Sequence, residues 1–177
     1  GSINGQGGWQ NPEGTAIVVD ADGNKALGFD GQNDLNALKL RSLKIPEGKK
    51  ATVFFRLATL DDAAVDGQVN VLFGLTEKPI RFVGDFNNDA GPIVRLTKEP
   101  GFGPITLNSR NGVGNEYTIG DTVLDFGGVY NIWIDVENKS NEDGDVYSVY
   151  IAEEGQAERT VVFENFVSDR NPAGTVD

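Results

Sequence analysis

Val129-Tyr-Asn-Ile-Trp-Ile-Asp-Val-Glu137 and Asp145-Val-Tyr-Ser-Val-Tyr-Ile151 both alternate at period two, with the turn-forming Asn138-Lys-Ser-Asn-Glu-Asp-Gly144 between them. Successive side chains of a strand point to opposite faces, so the pattern specifies two antiparallel strands joined by a hairpin. Tyr130, Ile132, Ile134 and Val136 form one face of the first strand, a core face. Asn131, Trp133, Asp135 and Glu137 form the other. That second face sets an indole beside two carboxylates and an amide, groups that can stack on a sugar ring and bond its hydroxyls. Two roles for Trp133 stay open: a stacking platform facing solvent, or a ring packed between sheets with its N–H bonded to a neighbour.

Outward from this hairpin, further strands are expected at 16–20, 25–29, 37–40, 51–57, 69–76, 93–97, 116–119 and 160–163. Turn signals separate them, among them Asp22-Gly23, Asp30-Gly31, Glu47-Gly48, Asn111-Gly112 and Gly127-Gly128. In 51–57, Ala51, Val53, Phe55 and Leu57 share one face, with Thr52, Phe54 and Arg56 on the other. In 69–76, Val69, Val71, Phe73 and Leu75 oppose Asn70, Leu72, Gly74 and Thr76. Each has one apolar and one mixed face, as two sheets sharing a core require. Many short strands with no helical period predict an all-β fold, a β-sandwich jelly roll of two antiparallel sheets. Segment 82–128 is the richest in Gly, Asn and Asp and is expected to be the least regular, wrapping one end.

With 177 residues the chain suits one domain with a sizeable core. Gly1-Ser2 reads as an expression scar, leaving 3–177 as a single β-jelly-roll domain cut from a larger multidomain protein. No window is apolar for long enough to span a membrane as a helix. The net charge of −12 opposes nucleic acid, anionic membranes and sulfated polymers, and leaves carboxylates for cations such as calcium. Cysteine, histidine and methionine are absent. Disulfides, thiolate metal sites and every Ser-His or Cys-His nucleophile scheme are thereby excluded. Carboxylate chemistry, a role for Lys, Arg or Tyr, or no chemistry at all remains.

Trp9, Gly14-Thr-Ala-Ile-Val-Val-Asp20, Lys25-Ala-Leu27, Thr52-Val-Phe-Phe-Arg56, Phe73-Gly-Leu-Thr76 and the 130–138 and 145–151 strands follow one another in an order that resembles LamG-like modules. These belong to the concanavalin A-like lectin/glucanase superfamily and are attached to secreted polysaccharide-degrading or surface proteins of bacteria. The resemblance covers most of the chain and is one of strand pattern, not of a catalytic signature. It implies a jelly roll with one concave sheet, frequent calcium, glycan binding on that sheet or at the loop edge, and a secreted or cell-surface location. Such domains commonly close with a strand pairing near the N-terminal strand. Here either that strand is missing or 160–167 serves as it.

Glycosidases of that superfamily place two Glu flanking an Asp on one strand, in the arrangement Glu-x-Asp-x-(x)-Glu, where carboxyl groups about 5–5.5 Å apart act as nucleophile and acid. Trp133-Ile-Asp135-Val-Glu137 has Trp133 at the first Glu position, so the nucleophile is lost and no catalytic residue is assigned. The expected function is a non-catalytic carbohydrate-binding module, with Trp133, Asn131, Asp135, Arg56 and Arg95 as sugar-binding residues. The plainer role of the two mid-strand arginines is an internal ion pair. The expected ligand is a polysaccharide or other glycan, neutral or uronate-containing rather than sulfated. Alternatives are a structural or adhesive surface module and, further off, a glycoside hydrolase or polysaccharide lyase. Three acidic loops suggest structural Ca2+ as the one cofactor: Asp20-Ala-Asp22-Gly-Asn24, Asp85-Phe-Asn-Asn-Asp89 and Asn141-Glu-Asp143-Gly-Asp145. The leading ligands are Asp20, Asp22, Asn24, Asp85 and Asp89; the alternative is that these loops are ordinary turns.

Overall fold

The computed structural model describes residues 17–21, 24–28, 44–59, 69–76, 90–98, 103–112, 116–139 and 144–168. Ten strands account for most of them: β1 (Ile17–Ala21), β2 (Asn24–Gly28), β3 (Lys50–Ala58), β4 (Val69–Thr76), β5 (Ala90–Lys98), β6 (Ile105–Ser109), β7 (Thr118–Leu124), β8 (Val129–Glu137), β9 (Asp145–Glu153) and β10 (Thr160–Ser168). β1 and β2 pair as a two-stranded ribbon. The rest form two four-stranded sheets, ordered β10-β9-β8-β3 and β4-β5-β6-β7, and every pairing is antiparallel. The expected all-β sandwich is the architecture found. The chain leaves the first sheet after β3, lays down four strands in the second, and returns to place β8 beside β3.

Alternation produces the core. Ile132, Ile134 and Val149 from the first sheet are fully buried with Val94 and Leu107 from the second. Ala51, Val53, Phe55 and Leu57 of β3 pack against them, as do Val71 and Phe73 of β4. Complete burial of each such aliphatic side chain contributes about 1.5–3 kcal/mol, enough to fix which face of every strand turns inward.

Polar bonds cross the same layer. Ser109 Oγ bonds the carbonyl of Ile93 at 2.5 Å and lies 2.8 Å from the Tyr147 hydroxyl. That hydroxyl also donates to the carbonyl of Arg110. Burial holds the Tyr147 phenol well above its ordinary range, at about 12.

Segment 82–128 is more regular than its composition predicts, since β5, β6 and β7 all lie within it. β6 falls where no strand is expected. Ile105 and Leu107 turn into the core while Ser109 serves the bonds just described, so its short alternation is stabilised by the partners on either side.

The 160–167 segment does join a sheet, as the edge strand β10, and its described pairing is with β9 rather than with β1. Two register shifts interrupt it, and Asn165 takes a φ of 54°. The shifts let Phe163 and Phe166, three residues apart, both pack on the core, with ring centroids 4.9 Å apart. Gly112 donates to the Val167 carbonyl at 2.6 Å, and Val167 donates to Asn111 Oδ1 at 3.0 Å. Bulges and this side contact disrupt β10 as a template for further strands.

Candidate functional site

The outward face of the β10-β9-β8-β3 sheet gathers most of the residues singled out in the sequence. Its centre is a row of four side chains in register, one per strand: Phe54, Trp133, Tyr150 and Val161. At a strand spacing of about 4.8 Å the row spans roughly 14 Å, running across the strands. Phe54 is 52% exposed and Val161 45%, while Trp133 and Tyr150 are half-buried. Trp133 is therefore not packed between the sheets. Its ring leans on Phe54 instead, with centroids 5.5 Å apart and planes tilted by 47°. The row exists because β3, like β8, carries a large aromatic on its mixed face, and nine uninterrupted pairs bring the two into line.

Polar pairs border this row. On one side Asp135 accepts from Thr52 Oγ1 at 2.6 Å through Oδ1 and from Arg159 Nη2 at 2.9 Å through Oδ2. The Arg159 guanidinium also lies over the Tyr150 ring, 4.0 Å from its centroid. Farther along, Lys50 pairs with Glu137 at 3.1 Å. On the other side Arg56 is bonded to Glu154, and Asn131 stands between Arg56 and Ala152 in the register. Exposed pairs of this kind add only about 0–1 kcal/mol each to stability. Their consequence is chemical: both β8 carboxylates, Asp135 and Glu137, are engaged by cations.

Of the five expected sugar-binding residues, Trp133, Asn131, Asp135 and Arg56 share this face. Arg95 does not join them. It stands opposite Leu72 and Asn108 in the second sheet, between the core residues Val94 and Leu96, and so on that sheet's outward face. There its guanidinium lies 4.7 Å from the Tyr117 ring centroid, with Arg110 at 4.5 Å from the same ring. The thickness of the sandwich separates it from Trp133.

Phe54, Tyr150, Val161, Arg159 and Glu154 also contribute to the face and are not among the five residues expected from the sequence. A usable signal exists for two of them. Phe54 is the one aromatic between Thr52 and Arg56 on the polar side of β3, and Tyr150 falls out of phase with the inward Tyr147, Val149 and Ile151.

Among the metal-ligand expectations, Asp20 and Asn24 sit in the β1–β2 ribbon, where Asp20 pairs with Lys25 and Asn24 with Ala21. Asp22, Asp85 and Asp89 lie outside the described residues, as do Trp9 and segment 37–40, where the sequence leads one to expect a strand. Among the described residues no group of three or more carboxylates is placed to hold a metal ion. Asp145, from the third acidic loop, is buried at the start of β9 and accepts from the backbone N–H of Lys139 at 3.1 Å. Burial raises its carboxyl to about 6, against the partial relief of that bond.

No family model matches this chain, and neither a curated protein nor a solved structure matches it.

Proposed function

We propose that this protein is a non-catalytic carbohydrate-binding module that holds a polysaccharide on the outward face of the β10-β9-β8-β3 sheet. The observation that carries the reading is the outward-facing row Phe54–Trp133–Tyr150–Val161, exposed at Phe54 and Val161 and half-buried at Trp133 and Tyr150, with hydrogen-bonding pairs along both sides. Aromatic rings stack on the apolar face of a sugar, and bordering carboxylates, guanidinium groups and the Asn131 amide bond its hydroxyls. Engagement of Asp135 and Glu137 by cations favours binding over hydrolysis, and the missing first Glu of the glycosidase arrangement points the same way. The LamG-like order of segments supports a secreted or surface-attached bacterial module within a larger protein. Structural Ca2+ at the Asp20–Asn24 or Asp85–Asp89 loop is part of the same proposal.

A glycan array probed with and without EDTA tests ligand, binding and calcium dependence together. Binding to polysaccharide fragments is expected, with Trp133→Ala and Phe54→Ala each weakening it at least about tenfold, the loss of about 1.4 kcal/mol of stacking. Selective binding of sulfated glycans, or variants indistinguishable from the parent chain, would overturn the assignment. Release of reducing ends from a polysaccharide panel would replace it with a hydrolase.

A further inference from the structure

We infer that the ligand of this face is an uncharged polysaccharide, laid across the strands along the aromatic row, and that uronate polymers are excluded. The inference rests on the binding role proposed for the face and narrows it to one chemical class.

Recognition of a uronate carboxylate calls for a guanidinium or ammonium group free to form paired N–H···O bonds. Lys44, Lys49 and Lys139 flank the sheet beyond the Lys50–Glu137 pair, at one end of β3 and β8; on the four strands and in the β9–β10 turn, the cations among the described residues are Lys50, Arg56 and Arg159. Each is already matched: Lys50 to Glu137, Arg56 to Glu154 and Arg159 to Asp135. These three pairs sum to zero charge on a chain whose total is −12. A uronate would have to displace a carboxylate tethered beside its cation, at an effective concentration on the order of mM or above. It would do so against a repulsive long-range field.

Neutral hydroxyls meet no such barrier. Each is donor and acceptor at once, so it can bond a lone pair of Asp135 or a remaining N–H of Arg56 without breaking the ion pair. The direction of the chain follows from where the pairs lie. Thr52–Asp135–Arg159 and Arg56–Glu154 border the row on its two sides, leaving Phe54 and Trp133 as the open apolar track between them.

Affinity electrophoresis of the whole chain tests this. Gels contain mannan, xylan or mixed-linkage β-glucan as neutral polymers, and polygalacturonate or alginate as uronates, each run with and without EDTA. Retardation by at least one neutral polymer and by neither uronate is expected. Glu154→Gln, and Asp135→Asn with Glu154→Gln, release one and two arginines; uronate retardation should then appear, about tenfold over the parent chain and abolished by 0.5 M salt. Melting curves confirm that the variants are folded, and Glu154 is exposed enough for its variant to fold. Retardation of the parent chain by a uronate, with or without EDTA, overturns this inference and leaves glycan binding standing. Folded variants that gain no uronate affinity also overturn it. Failure of every polymer to retard the parent chain removes the binding role and this inference together.

Discussion

Tyr147→Phe removes one oxygen from the middle of the sandwich, and the structure sets what that costs. Three buried oxygen–oxygen contacts join Ser109 to Ile93, Ser109 to Tyr147 and Tyr147 to Arg110, yet the two hydroxyls supply only two hydrogens. Phe deletes the donor to the Arg110 carbonyl and one partner of Ser109. It changes almost no apolar contact, because the ring itself stays. Loss of a buried hydrogen bond costs about 1 kcal/mol, and a buried group left unsatisfied adds about 1–3 kcal/mol, so a net loss of about 2 kcal/mol is expected. For a chain of this length that lowers the melting temperature by about 4–8 °C. Urea denaturation gives the free energy directly, and a double-mutant cycle with Ser109→Ala gives the coupling, expected at about 0.5 kcal/mol or more because the hydrogens are shared. A loss below about 0.5 kcal/mol, or strict additivity with Ser109→Ala, would refute the idea that these bonds tie the two sheets.

Two further perturbations follow from the geometry. Asp145 has its carboxyl raised from 3.8 to about 6, so the unfolded chain releases this proton first. Stability therefore falls as pH rises between those values, and the full penalty stands above the upper one. Asp145→Asn should stabilise the protein at pH 7.5 by about 1–2 kcal/mol, the shift discounted for solvent screening, and by almost nothing at pH 3.5; an equal effect at both pH values in urea titrations would contradict this. Gly74 has a φ of 155°, and a Cβ there would lie 2.2 Å from the Pro92 carbonyl oxygen, a backbone atom that cannot swing aside. Gly74→Ala should cost about 2–3 kcal/mol in the same assay; a neutral result would mean that β4 and β5 are not held at this spacing.

The sequence discloses fold more readily than site, for a physical reason. Alternation is a local property, so β8, β9 and both faces of β3 can be read from consecutive residues. β6 escapes because Ile105-Thr-Leu-Asn-Ser109 is short, follows Gly103-Pro104, and depends on neighbouring strands for its stability. The far half of β10 escapes because its bulges place Phe163 and Phe166 on one side three residues apart, which no period of two describes. Register across sheets is not local at all. Trp133, Asn131 and Asp135 share a face by alternation, but nothing in the sequence sets Phe54 opposite Trp133 or brings Arg159 to Asp135. For the same reason Arg95 could be grouped with Trp133 although it belongs to the other sheet.

Under the proposed function, Trp133 stands on an accessible face and meets a polysaccharide there. The chain has two tryptophans, so a Trp9→Phe variant leaves Trp133 as the sole indole reporter. Titrating that variant with the neutral polysaccharide that retards the parent chain, and measuring acrylamide quenching of its fluorescence, reads the contact directly. Quenching in the free protein and saturable protection on binding are the predicted results. An indole that acrylamide does not reach in the free protein, or quenching unchanged at saturating polysaccharide, would contradict the account.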